Sequence, residues 1–177
     1  MLELDAEALY GELRVALPGL LTPQSVLVGI WSGGAWLAER LHRDLALPGR
    51  FGVISSMLHR DDFSSRGLAM GREGKDGSDA TDLPFAIDGQ HIVLIDDVLH
   101  TGRTVRAVVN ELFDFGRPAS VQLAVLVDRG GRELPVAAAF AALRTTLPAT
   151  QRLSLVRDDS SGLQFALREM LESQEPS

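Results

Sequence analysis

Apolar residues in this chain gather into short continuous runs separated by stretches with helical spacing. SVLVGI (25–30), FGVISSML (51–58), HIVLI (91–95) and SVQLAVLV (120–127) have the length of strands buried on both faces. Residues 5–17 place Leu9, Leu13, Ala16 and Leu17 on one stripe, closed by Pro18-Gly19. GAWLAERLHRDLAL puts Leu37, Leu41 and Leu45 on one helical face and stops at Pro48-Gly49. From Thr104, the residues Val105, Val108, Val109, Leu112 and Phe113 follow i, i+3, i+4, i+7, i+8 spacing, and Gly116 with Pro118 ends that helix. Residues 153–156 predict a last short strand, and LQFALREML (163–171) predicts an amphipathic terminal helix. Strands alternating with helices predict an α/β fold, with a central, mainly parallel sheet flanked by helices.

One stretch breaks the pattern. Residues 59–83, HRDDFSSRGLAMGREGKDGSDATDL, carry many charges, four glycines and little periodicity. A loop of that length inside a compact domain is usually a lid or a binding loop. It is expected to be poorly ordered over 62–82 without ligand and to gain protection when ligand binds.

Composition narrows the class. At 177 residues the chain reads as a single domain, 1–177, with 45% hydrophobic and 23% charged residues, the balance of a globular protein. No apolar run approaches the ~18–20 residues that span a bilayer. The acidic, amphipathic start MLELDAEALYGELR does not have the pattern of a signal peptide. The absence of cysteine removes disulfides and thiolate chemistry, so a cytoplasmic protein without membrane contact is expected. A net charge of −7 argues against a general nucleic-acid footprint.

The chemistry concentrates in HIVLIDDVLHTGRT (91–104). Ligands of open parallel sheets bind beyond the carboxyl ends of the strands, which is where Asp96 and Asp97 fall. The loop after them opens a helix, so backbone N–H groups and the helix's positive end converge on an anion site. Thr101 and Thr104 add hydroxyls, and Gly102 lacks the Cβ that would hold a phosphate away. A bare Asp-Asp pair is more often a capped loop beside a solvated strand end. The apolar strand before it, TGRT after it and a good helix behind it argue for a site. Two carboxylates beside an anion loop make sense if they accept hydrogen bonds from ribose hydroxyls while the loop holds the 5-phosphate. Neither a Walker loop nor the dinucleotide glycine pattern is present here.

These residues resemble a known family. IVLIDDVLHTGRT resembles the signature of type I phosphoribosyltransferases that binds 5-phosphoribosyl 1-pyrophosphate (PRPP), spanning 92–104. Longer matches, LVGI…LAERL, LHRDD, DVLHTGRTVRA and GRPASVQLAVLVDRGGRELP, are similar to the PyrR family, over roughly residues 5–156. The resemblance implies a type I phosphoribosyltransferase fold with a flexible lid and a small hood. It implies a uracil phosphoribosyltransferase making UMP and pyrophosphate from uracil and PRPP, with magnesium carried by PRPP, as a homodimer or higher homo-oligomer. By the same resemblance Asp96 and Asp97 hold the ribose, and Leu99, His100, Thr101, Gly102, Arg103 and Thr104 wrap the 5-phosphate. Trp31, Ser32, Gly33 and Gly34 form the pyrophosphate loop, Asp128 and Arg129 border the base, and Arg60 and Asp61 join Asp97 in catalysis. His100 is expected as a loop contact rather than a base, and Trp36 as packing.

Two departures from the family pattern change the expectation. Where the family has K-T-R-G, this chain has Trp31-Ser32-Gly33-Gly34, which removes two cations and predicts weak PRPP binding. Restoring them with Trp31→Lys and Gly33→Arg is expected to tighten PRPP. Positions that family members use on RNA are thinned: Gly131 and Ala137 replace a histidine and an arginine, and AALRTTLPAT replaces G-K-N-x-P-T-S. Members of the family also regulate pyrimidine genes through messenger RNA, so the second reading is an RNA-binding attenuator that senses UMP or PRPP with little catalysis.

Overall fold

The computed structural model describes residues 4–55, 81–158 and 162–169. Residues 56–58 of the expected strand and 59–80 of the expected lid, with His59, Arg60, Asp61, Asp62, Arg66, Arg72 and Lys75, lie outside the described residues. The lid's last residues, 81–83, are described, and Asp82 bridges Val53.

Helix α1 (Ala6–Ala16) begins at Asp5, whose carboxylate accepts the Ala8 N–H at 3.0 Å, and runs into a 3-10 turn at Leu17–Leu20 where Pro18 cannot continue it. Strand β1 (Ser25–Ile30) leads to helix α2 (Gly33–Asp44) and strand β2 (Gly52–Ile54). Strand β3 (His91–Leu99) feeds helix α3 (Arg103–Phe115), then strand β4 (Ser120–Asp128) and strand β5 (Phe140–Arg144). These five strands form one parallel sheet in the order β2-β1-β3-β4-β5, with Ser25 opposite His91 and His91 opposite Ser120. Strands β6 (Gln151–Arg157) and β7 (Leu163–Glu169) pair antiparallel as a separate hairpin, the hood.

Alternation along β3 divides the core. Val93 and Ile95 face a cluster with Leu13, Leu37 and Leu41 from α1 and α2, while Ile92 and Leu94 face Val105, Val108 and Leu112 of α3. The sheet is thus covered on both faces, as parallel sheets require. The hood joins the first cluster through Leu153, Leu155 and Leu163.

Three elements differ from the pattern-based expectation. Strand β3 continues through both aspartates to Leu99 instead of ending before them, because β4 goes on pairing with it as far as Leu99 opposite Asp128. Strand β5 was not expected; it is short and lies in an alanine-rich stretch of low strand propensity. Residues 163–169 form β7, not a helix. Leu163, Phe165 and Leu167 also alternate, and pairing with β6 sets Phe165 opposite Leu155 and Leu167 opposite Leu153. No helix among the described residues is long and apolar enough to cross a membrane.

Candidate active site

In this sheet β2 lies on one side of β1 and β3 on the other, so the chain reverses direction between β1 and β3. Helix α2 covers one face and α3 the opposite one. The loops leaving β1 and β3 therefore diverge and leave a crevice at the strands' carboxyl ends, the position where such sheets bind ligands. A cavity of about 460 Å³ lies there, within the range of small-molecule sites. Its walls come from Ser32 and Gly33, from the end of β3 (Asp96, Asp97, Val98) and the loop after it (His100, Thr101, Arg103, Thr104), and from the Arg152–Leu155 stretch of the hood.

Asp96 is 6% exposed and its Oδ1 accepts the Asp97 N–H at 3.0 Å. The Asp97 carboxylate reaches across to the hood: Oδ2 accepts the Leu155 N–H at 2.8 Å. Both side chains border the cavity. The helix after them is capped by Gly102 at φ 92°, a left-handed turn that a branched side chain resists, and a Cβ there would also press on Val136 Cγ2 at 3.1 Å. Thr101 is nearly buried, and its hydroxyl accepts the Arg103 N–H at 3.2 Å. His100, Thr101, Arg103 and Thr104 all line the cavity. Leu99 does not: its side chain is buried in the α3 cluster, leaving only its backbone to the loop. Arg103 pairs with Glu133 at 2.6 Å.

The WSGG segment is divided. Ser32 and Gly33 line the cavity, but Gly33 and Gly34 already belong to the first turn of α2. Gly34 is set against β3, where a side chain would run into the Ile95 carbonyl. A Cβ on Gly33 would lie 2.7 Å from Asp97 Cγ, and that carboxylate is held by Leu155. The expected gain from Gly33→Arg is therefore corrected: an arginine there displaces Asp97 before it can meet a pyrophosphate. Trp36 is partly buried against the first core cluster, with the Arg157 guanidinium 5.4 Å from its ring.

Asp128 and Arg129 take different positions. Arg129 is 5% exposed and lines the cavity, but its guanidinium donates to the carbonyls of Gln151 (2.7 Å) and Pro148 (3.0 Å), where the hood begins. Burial lowers its pKa from the ordinary arginine value. Asp128 sits behind it and takes Arg132 Nη2 on both oxygens at 2.6 Å, with the Gly130 N–H at 3.1 Å. Burial raises the Asp128 carboxyl, but the Arg132 guanidinium and the Gly130 N–H outweigh it and hold it below the usual range. The resemblance placed Arg132 beside the base only as part of GGRELP, without a role of its own, and residue-level reading missed the hood stretch Arg152–Leu155. The hood contacts come from chain far beyond the motif.

A crevice at a strand-order reversal, bordered by paired carboxylates and by a Gly102-capped loop that opens a helix, is the layout of a phosphoribosyltransferase of the type I fold. Residues 21–147 match the family model of the phosphoribosyl transferase domain. The fold is shared with a hypoxanthine-guanine phosphoribosyltransferase of Bacillus anthracis (TM-score 0.59, 16% identity, 83% of this chain and 82% of that one). It is also shared with a purine phosphoribosyltransferase of Pyrococcus horikoshii (TM-score 0.53, 21% identity, 78% and 82%). In sequence, the bifunctional protein PyrR of Ralstonia nicotianae is 46% identical over 164 residues, 90% of each chain. That of Nitrosococcus oceani is 39% identical over 171 residues, 93% of this chain and 92% of its own. The chain belongs to the PyrR family of phosphoribosyltransferases.

Proposed function

We propose that the protein is a uracil phosphoribosyltransferase, forming UMP and pyrophosphate from uracil and PRPP. The observation that carries this reading is the cavity between β1 and β3, where Asp96, Asp97 and the anion loop meet under the hood. The loop from His100 to Thr104 holds the 5-phosphate, and the two aspartates accept the ribose hydroxyls. Ser32 and the backbone at the start of α2 meet the pyrophosphate end. Arg129 braces the hood edge beside the base, with Asp128 behind it.

The bond between uracil N1 and ribose C1 forms as the bond from C1 to the pyrophosphate oxygen breaks. Pyrophosphate leaves with the electron pair, and the N1 proton is released. Charge builds on the ring as in glycoside cleavage, so the chain's own task is to orient both reactants and to exclude water. Asp96 and Asp97 are hard oxygen donors of the kind magnesium accepts. Two carboxylates suit an ion that arrives on the substrate's pyrophosphate and keeps phosphate and water as its other ligands. When bound, the ion would neutralise the leaving group.

The test is pyrophosphate release with PRPP, magnesium and each nucleobase in turn. Release that depends on uracil is expected. Release with another base alone, or with none, overturns the assignment.

A further inference from the structure

The Leu99, His100 and Thr101 carbonyls of the anion loop have partners in one segment of chain. Leu99 O accepts the Arg129 N–H at 3.0 Å, and Thr101 O accepts the N–H groups of Glu133 (3.0 Å) and Leu134 (3.1 Å). Between them, His100 O accepts Arg132 Nη1. Three successive carbonyls are thus held toward residues 129–134. In a trans peptide the carbonyl and the following N–H point in opposite directions. Among the described residues the cis peptide is Trp31–Ser32, so the loop's units are trans. Fixing these carbonyls on one side therefore turns the N–H groups of His100, Thr101 and Gly102 to the other. Gly102's left-handed turn then completes the concave array of amides that binds anions.

The middle carbonyl differs from its neighbours, because a side chain holds it. That guanidinium is itself aimed from two further sides: Nη2 by the Asp128 carboxylate at 2.6 Å, and Nε by the Val136 carbonyl at 2.9 Å. The turn that returns Arg132 beneath the loop passes through Gly131 at φ 68°, where a Cβ would lie 2.7 Å from His100 Nε2. A lysine could not serve, because a single ammonium does not present donors in a planar fork to three acceptors set apart.

We propose that Arg132 is a positioning residue for the phosphate cradle, holding the His100 carbonyl outward so that the His100–Gly102 amides face the 5-phosphate. This deepens the proposed function and rests on its reading of the loop as the 5-phosphate site.

The experiment compares UMP with uridine by titration calorimetry on the full chain, wild type against Arg132→Met and Arg132→Lys. The wild type is expected to prefer UMP. Both variants should lose about tenfold or more in UMP affinity, the scale of one charge-assisted hydrogen bond, with uridine affinity nearly unchanged. A preference for UMP kept in both variants overturns the role of Arg132 and leaves the site reading standing. An equal fall for both ligands overturns it too, because general damage would do that. A wild type with no preference for UMP defeats the site reading itself, and the inference with it. Should Arg132→Met fail to fold, Asp128→Asn keeps the arginine and removes its charged partner. It should reduce the UMP preference in the same direction, and an unchanged preference there counts against the proposal.

Discussion

Asp97 has two partners to satisfy at once. Its Oδ2 takes the Leu155 N–H while the same carboxylate borders the cavity. Asp97→Asn keeps an oxygen for Leu155 but loses charge toward the cavity, whereas Asp97→Ala loses both. The alanine variant should therefore be less stable than the asparagine one by about 1 kcal/mol, the usual net worth of a hydrogen bond, read by denaturant titration. Both should bind PRPP poorly, and Asp96→Asn with Asp97→Asn should abolish PRPP-dependent pyrophosphate release in a folded protein. At Gly102, φ 92° and the Val136 contact at 3.1 Å predict that Gly102→Val abolishes UMP binding and costs roughly 1–3 kcal/mol, the scale of a side chain forced into a sparsely populated region. Normal UMP binding by that variant would show that the loop does not cradle phosphate. Of the pyrophosphate-loop pair, Trp31→Lys alone should tighten PRPP, and Gly33→Arg should weaken it through Asp97, both read as PRPP dissociation constants. The contiguous residues of this site were legible because strand, carboxylates, loop and helix are adjacent in the chain. The Asp97–Leu155 bond was not, since it joins positions 58 apart and depends on where the hood lands.

The hood shows the same limit at the level of elements. Residues 163–169 fit a helical and an alternating pattern equally, and only pairing with β6 decides between them. Once formed, the hairpin is pinned to α1 and α2 by charge. Glu7 Oε1 accepts the Leu163 N–H at 2.9 Å while Arg40 holds the same carboxylate at 2.8 Å, and Arg157 pairs with Glu39 at 3.0 Å. The Arg40 hydrogen bond holds the Glu7 carboxyl below its usual range; burial opposes this and the Leu163 N–H adds to it. A depressed carboxylate contributes stability above its unfolded pKa, about 4.3, and loses it as pH falls through the lower folded value. The hood should therefore loosen below about pH 4, before the sheet does. Hydrogen exchange at 151–157 should rise there while that at 91–95 stays slow. In Glu7→Gln the acid response should flatten, and a response identical to wild type would remove Glu7 from the clasp.

For the whole molecule, a parallel sheet covered by helices follows from the alternation of buried runs and amphipathic stretches, and this is why the fold class could be read from the sequence. The strand order that sets the crevice between β1 and β3 does not follow from it. Charge is a property of the same scale, and it bears on the second reading, an RNA-binding attenuator. The chain carries −7 overall, and its basic positions are further reduced by internal pairing. Arg40, Arg43, Arg50, Arg103, Arg132 and Arg157 each lie within ion-pair distance of an acidic side chain. Phosphate contacts by lysine and arginine supply most of the affinity of a protein for RNA, and each contact steepens its dependence on salt. An arginine already facing a carboxylate must give up that partner first, Gly131 and Ala137 carry no cation where the family pattern has one, and AALRTTLPAT keeps a single cation, Arg144. Binding to a pyrimidine-operon leader RNA should therefore be weak at ~150 mM salt and should fall only shallowly as salt rises, since few counterions are released. Fluorescence anisotropy with labelled leader RNA across a salt series reads both quantities. Nanomolar affinity with a steep salt slope would mean that these arginines exchange their carboxylates for phosphates, and would restore the attenuator reading beside the enzyme.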